Sequence, residues 1–88
     1  MKRWQFVLHQ RALEEIDHLR PVERREIRAQ LLRLVADPWA RPDGQIRPPN
    51  DRPYSVKYVR SLRIIYWLDA FAREVLIVRV ERNQRNDR

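Results

Sequence analysis

Between Tyr54 and Val80 the chain keeps apolar or aromatic side chains on even positions and most of its charges on odd ones. The even set includes Tyr54, Val56, Tyr58, Leu62, Ile64, Tyr66, Leu68, Leu76, Val78 and Val80, and the odd set includes Ser55, Lys57, Arg63, Asp69, Arg73 and Arg79. Side chains alternate faces along a strand. The stretch therefore predicts three strands, with a turn near Asp69 to Ala72, one apolar face and one face bearing fixed cations. Register decides whether Lys57 and Arg63 share that second face. A two-residue turn at Arg60-Ser61 sets Lys57 opposite Ile64, whereas a three-residue loop over Val59 to Ser61 sets it opposite Arg63. An unpaired buried lysine is costly or gives up its proton, and the turn lacks the Asn-Gly or Gly-X pair that tight hairpins prefer. The longer loop is expected, with Lys57, Arg63 and Arg79 side by side.

Upstream, Trp4, Phe6 and Leu8 alternate with Gln5, Val7 and His9, which reads as a first strand. Ala12, Leu13, Ile16 and Leu19 then recur at helical spacing, and after Arg20-Pro21 a second helix carries Ile27, Leu31, Leu34 and Val35 on one side. Pro21 suits the first turn of that helix, and Asp37-Pro38 ends it. Its Glu23, Arg24, Arg25, Glu26, Arg28 and Arg33 read as a solvated face. Residues 38–53 hold five of the six prolines and the only glycine, and read as a long connection without regular structure. Val75-Leu76-Ile77-Val78 is apolar on both faces, as a central or covered strand would be. The result is one α+β domain over residues 1–88, in the order β-α-α-β-β-β. Two N-terminal helices pack on one face of a small antiparallel sheet and bury its even-numbered residues.

Composition narrows the partners. Nineteen Lys plus Arg against twelve Asp plus Glu give a net charge of +7, with Arg far in excess of Lys. The planar guanidinium fork suits phosphate, so the excess favours nucleic acid or an acidic protein as partner. The start, Met1 to Leu8, resembles neither a signal peptide nor a spanning helix, and a cytoplasmic protein with no membrane role is expected. His9 and His18 are the only histidines, and there is no cysteine to complete a zinc set. Carboxylates mostly alternate with arginines, against a two-metal nuclease, and a single glycine excludes a Gly-rich phosphate loop. Neither metal nor cofactor is expected.

What remains is the cationic face. Lys57, Arg63 and Arg79, with Arg82 at the strand end and Arg60 in the turn, can grip a phosphodiester while a ribose 2′-hydroxyl attacks it. Preorganised cations of this kind contribute about 3 to 4 kcal/mol each in the transition state. Lys57 is a candidate general base, because neighbouring arginines favour a neutral amine. Trp67 is a candidate for stacking on a base. The strip it shares with Ile65, Val75 and Ile77 equally suits a partner helix or strand. His9 reads as a surface or capping residue, and Trp4 and Trp39 as packing.

The stretch Tyr54-Ser55-Val56-Lys57-Tyr58-Val59-Arg60-Ser61-Leu62-Arg63-Ile64-Ile65-Tyr66, followed by Val75-Leu76-Ile77-Val78-Arg79-Val80-Glu81-Arg82, resembles the RelE/ParE superfamily of bacterial and archaeal toxins. It looks like that family's basic strand, short loop and Arg-apolar-apolar-Tyr strand, then an apolar strand ending in basic residues. Ala12-Leu13-Glu14-Glu15-Ile16 and the Leu-rich helix after it are similar to the family's first two helices. The resemblance implies the toxin of a toxin–antitoxin module. In the RelE branch such proteins enter the ribosomal A site, cleave mRNA without metal and inhibit translation. It assigns catalytic roles to Arg63, as phosphate and transition-state ligand, to Lys57, and to Arg82 as a terminal basic group proposed as an acid; RNA contacts by Arg60, Arg79 and Trp67 are expected from the cationic face itself. The implied partners are a cognate antitoxin, the ribosome and mRNA, with operator DNA reached only through the antitoxin complex. Ser55 stands where a second strand lysine is often found, and the tail Asn83-Gln84-Arg85-Asn86-Asp87-Arg88 lacks the late tyrosine or histidine of many cleaving members. Two alternatives stay open: a ParE-like inhibitor of DNA gyrase, and a noncatalytic RNA-binding or degenerate member.

Overall fold

Alternation at the start of the chain and over its last third resolves into strands, and the two helical periodicities into helices, in a computed structural model that describes residues 3–83. β1 (Gln5–Leu8) leads into α1 (Gln10–Asp17) and α2 (Pro21–Ala36), followed by β2 (Gly44–Ile46), β3 (Tyr54–Val59), β4 (Leu62–Asp69) and β5 (Glu74–Arg82). The sheet order is β1-β5-β4-β3-β2, with β1 parallel to β5 and the other pairs antiparallel. Two helices on a small sheet is the expected α+β arrangement. The fifth strand is not expected: Gly44-Gln45-Ile46 lies between the prolines, keeps its backbone donors and pairs with Tyr54–Val56.

Pro21 opens α2 at a position where no backbone N–H is needed, and the Glu23 carboxylate accepts the Arg20 N–H at 3.2 Å. Asp37 follows its last turn, ahead of Pro38. Ala12, Leu19, Ile27, Leu31 and Leu34 from the helical layer meet Leu62, Ile64, Tyr66, Val75, Ile77 and Val80 from β4 and β5. Each large side chain removed from water there contributes roughly 1.5–3 kcal/mol. β5, second in the sheet order, is interior, as its apolar run requires.

Three expectations are corrected. First, β3 and β4 are joined by the two-residue turn: Val59 pairs with Leu62, Tyr58 with Arg63 and Lys57 with Ile64. Arg60 adopts φ 55°, supplying without glycine the left-handed backbone such a turn needs. Lys57 is not stranded by this register, because Asp43 stands 3.6 Å from its ammonium and a quarter of its side chain meets solvent. Second, the parity rule fails in β3, where that turn sends Val56 and Tyr58 to the face away from the helices, and it fails within β5. Ile65 pairs with Arg79 but Tyr66 with Ile77, so Val78 is an extra residue in a β-bulge. Beyond that bulge Val80 faces the helices, whereas before it Val75 and Ile77 do, and Leu76 pairs with Trp67 on the other face. Third, the charged side of α2 is not all solvated. Glu23 is 8% exposed and binds Arg82, and Glu26 binds Arg60.

Candidate functional site

The register and the bulge together redistribute the predicted cations. Arg63 pairs with Tyr58 and Glu81, and Arg79 with Ile65, so both stand on the face turned away from the helices. Lys57 pairs with Ile64 and Arg82 with Leu62, which puts both on the helix-covered face. Arg60, in the turn, reaches back to Glu26 of α2. The expected row of Lys57, Arg63 and Arg79 is thus broken: Arg63 and Arg79 meet, and Lys57 lies on the opposite side of the sheet.

Arg63 and Arg79 meet through one carboxylate. Arg63 donates Nε to Glu81 Oε2 at 2.7 Å, with its Nη2 on the same oxygen, while Arg79 Nη2 stands 2.9 Å from Glu81 Oε1. Each oxygen of a single anion is therefore held by a different guanidinium. Arg79 also donates Nε to Glu15 Oε2 at 2.9 Å, and Glu15 Oε1 accepts the backbone N–H of Val80 at 2.7 Å. Local chain geometry explains that last bond. β1 pairs with β5 only from Glu74 to Ile77, so past that point β5 has a bare edge, and α1 brings Glu15 onto it.

Arg82 is held differently. Its Nη1 and Nη2 donate to Glu23 Oε2 and Oε1 at 2.8 and 3.1 Å, a two-pronged pairing that ties the end of β5 to α2. The Arg82 hydrogen bonds, reinforced by the Arg20 N–H, hold the Glu23 carboxyl down at about 2, against the opposing pull of burial. The same pairing raises Arg82 above the ordinary arginine value. Inside the sheet, burial pushes the Tyr66 phenol up, with Asp43 adding to the shift and the Ser55 hydrogen bond opposing it.

Trp67 is on the open face, and its ring is occupied: the Arg52 guanidinium carbon lies 3.8 Å from the ring centroid. Arg52 is presented by the Pro-rich connection, where Tyr54 donates its hydroxyl to Asp51 at 3.0 Å. That hydrogen bond raises the Tyr54 phenol above its usual value. Trp4 and Trp39, expected as packing residues, form an edge-to-face pair with centroids 5.8 Å apart. Trp4 lies against the core, while Trp39 remains 67% exposed.

Beside the bare edge of β5 is a cleft of about 760 Å³, lined by Arg63, Arg79, Glu81 and Arg82 from the strands and by Arg11, Glu14, Glu15 and His18 from the helical side. Three carboxylates of this region, Glu15, Glu81 and Glu23, were not singled out as site residues in the sequence. Glu81 carried a usable signal, since it stands two residues after Arg79 on the same strand face. Glu15 and Glu23 carried none, because their partners are 64 and 59 residues away. The late residues 84–88, where a tyrosine or histidine is missing from the sequence, lie outside the described residues.

No protein-family model matches the sequence, and no curated protein matches it. Solved structures do. The archaeal RelE–RelB complex from Pyrococcus horikoshii OT3 superposes with a TM-score of 0.78 at 14% identity, covering 97% of this chain and 100% of that one. The isolated E. coli RelE toxin gives 0.78 at 19% identity, over 96% of this chain and 88% of that one. The chain has the RelE fold. RelBE2 from Mycobacterium tuberculosis, a toxin–antitoxin complex, adds a TM-score of 0.76 at 17% identity over 92% of this chain and 99% of that one. At these identities the likeness is one of architecture, and the RelE fold here carries its own arrangement of cations and carboxylates.

Proposed function

We propose that this protein is the toxin of a toxin–antitoxin module and that it cleaves mRNA on the ribosome, with the RNA phosphate held between Arg63 and Arg79. The observation that carries the reading is the match to RelE toxin structures over more than nine-tenths of the chain. The Arg63–Glu81–Arg79 arrangement supports the chemistry. Two guanidiniums already share the oxygens of one anion, so a phosphodiester has a seat of the right kind once Glu81 yields it. Arg82 lines the same cleft and is a further phosphate contact if it leaves Glu23, whereas Arg60, turned back to Glu26, reaches RNA only by leaving that partner. Trp67 becomes a stacking platform when Arg52 moves aside. Lys57, across the sheet, is left with its Asp43 contact and a supporting role.

A cognate antitoxin is the natural counterpart, as in the solved RelE–RelB complexes. No helix among the described residues is long and apolar enough to cross a membrane. A second reading, a gyrase poison built on the same fold, is favoured by one feature: the five proposed cations Lys57, Arg60, Arg63, Arg79 and Arg82 all face an internal carboxylate. Expression with and without the neighbouring gene, followed by mapping of mRNA ends in translating extracts, decides between them. Growth arrest relieved by that gene, with mRNA cut only when ribosomes are present, is the expected result. Gyrase-dependent DNA breaks with intact mRNA would select the second reading, and indifference of growth to the protein would overturn both.

A further inference from the structure

We infer that His18 is the proton acceptor of the cleft, taking the ribose 2′-hydroxyl proton of an RNA whose phosphate is held by Arg63 and Arg79. The inference rests on the cleavage reading above and names the residue that reading lacks, since Lys57 is on the other face of the sheet. Arg11, Glu14 and Glu15 on α1 and His18 just past its end are spaced i, i+3, i+4 and i+7, and all four line the cleft. Glu15 anchors that row to Arg79 and to the Val80 N–H. His18, one helical turn further on, is thereby fixed beside the same strand end.

Its ring is oriented and its outer nitrogen is available. Nδ1 lies 2.8 Å from the Glu14 carbonyl oxygen, which can only accept, so Nδ1 carries a proton. In the neutral ring Nε2 is then the bare nitrogen, the one that can receive a proton. The charges facing it are already matched to partners. From the strands, Arg63 and Arg79 hold Glu81, and Arg82 holds Glu23. On α1, Arg11 stands 3.9 Å from Glu15, and the Glu14 carboxylate accepts from Gln10. A cleft of about 760 Å³ has room for a phosphate with its flanking sugars.

The step is balanced. Nε2 takes the 2′-hydroxyl proton as O2′ bonds to phosphorus, and the bond from phosphorus to the 5′-oxygen breaks. The leaving oxygen takes a proton from water and the imidazolium returns its own to solvent, leaving a 2′,3′-cyclic phosphate and a 5′-hydroxyl. The test is the pH profile of mRNA cleavage on programmed ribosomes by the full chain and by His18→Gln. The wild type should show a rate that rises with pH, as expected of a general base. In His18→Gln that rise should vanish and the rate should fall about 100- to 10,000-fold, and added imidazole should partly restore His18→Ala. A wild type that cleaves while His18→Gln keeps its rate, or loses rate with the pH profile unchanged, overturns the inference and leaves the cleavage reading standing. A wild type that cleaves no RNA overturns both.

Discussion

The sheet has two places where a short outer strand stops and a carboxylate takes the next backbone N–H of its neighbour. At one, Asp43 just before β2 accepts the Tyr58 N–H at 2.8 Å and stands 3.6 Å from the Lys57 ammonium. At the other, Glu15 on α1 accepts the Val80 N–H at 2.7 Å and the Arg79 Nε at 2.9 Å. Both solve the same problem, an uncovered strand edge that water or another chain would otherwise occupy. They differ in what surrounds the cation. Lys57 has one carboxylate partner and stands at the margin of the helix-covered face, whereas Arg79 shares Glu81 with Arg63 and opens onto a cleft. The edge capped by Glu15 becomes a candidate site because its arginine also meets a second cation, Arg63, on another anion, Glu81.

The sharpest test of that distinction compares Arg63→Ala with Lys57→Ala. Loss of Arg63 should lower ribosome-dependent mRNA cleavage by about 100- to 1,000-fold, read as the rate of transcript cutting. Lys57→Ala should leave cleavage near the wild-type rate and change stability by no more than about 1 kcal/mol. Equal losses in both would erase the difference between the two edges.

Next in size is removal of the caps themselves. Glu15→Ala should cost about 1–3 kcal/mol in urea unfolding, because the Val80 N–H loses its acceptor and Arg79 one of its two carboxylates. Asp43→Ala should cost less, since its side chain is 38% exposed against 21% for Glu15 and water can replace it more readily. The reverse order would mean that burial does not set the worth of these caps.

Glu81→Gln tests whether the internal anion competes with RNA. With its charge gone, Arg63 and Arg79 should bind a short RNA about tenfold more tightly, the equivalent of about 1.4 kcal/mol. The titration should also show a steeper dependence on salt. Unchanged binding would mean that the two arginines are structural.

The smallest effect is confined to acid. Glu23 is held at about 2, below its ordinary 4.5, so its contribution to stability is fully present above pH 4.5 and is lost as the pH falls through about 2. Thermal unfolding of Glu23→Gln should therefore lack the part of the acid sensitivity that the wild type shows over that interval. Coincident wild-type and variant curves below pH 4.5 would remove Glu23 from the account.

Much of the architecture is legible along the chain because it depends on short-range periodicity. Ile27, Leu31 and Leu34 mark one side of α2, Pro21 and Asp37-Pro38 mark its ends, and Leu62, Ile64 and Tyr66 mark the core face of β4. The RelE-like stretch from Tyr54 to Arg82 comes with them. Candidate chemistry was legible only residue by residue. Arg63 and Arg79 stand together as expected, but the partners that hold them, Glu15 and Glu81, come from a distant helix and from the strand end.

What the sequence by itself determined was the set of elements and the excess of cations, since periodicity and charge are properties of neighbours along the chain. Which cations share a face was decided by tertiary structure. A left-handed Arg60 shortens one turn by a residue, and one extra residue at Val78 inverts the alternation within β5. In a sheet whose side chains alternate with period two, a shift of one residue moves a charge to the opposite face. Pairing between strands, not the pattern within them, therefore settled where Lys57 and Arg63 stand.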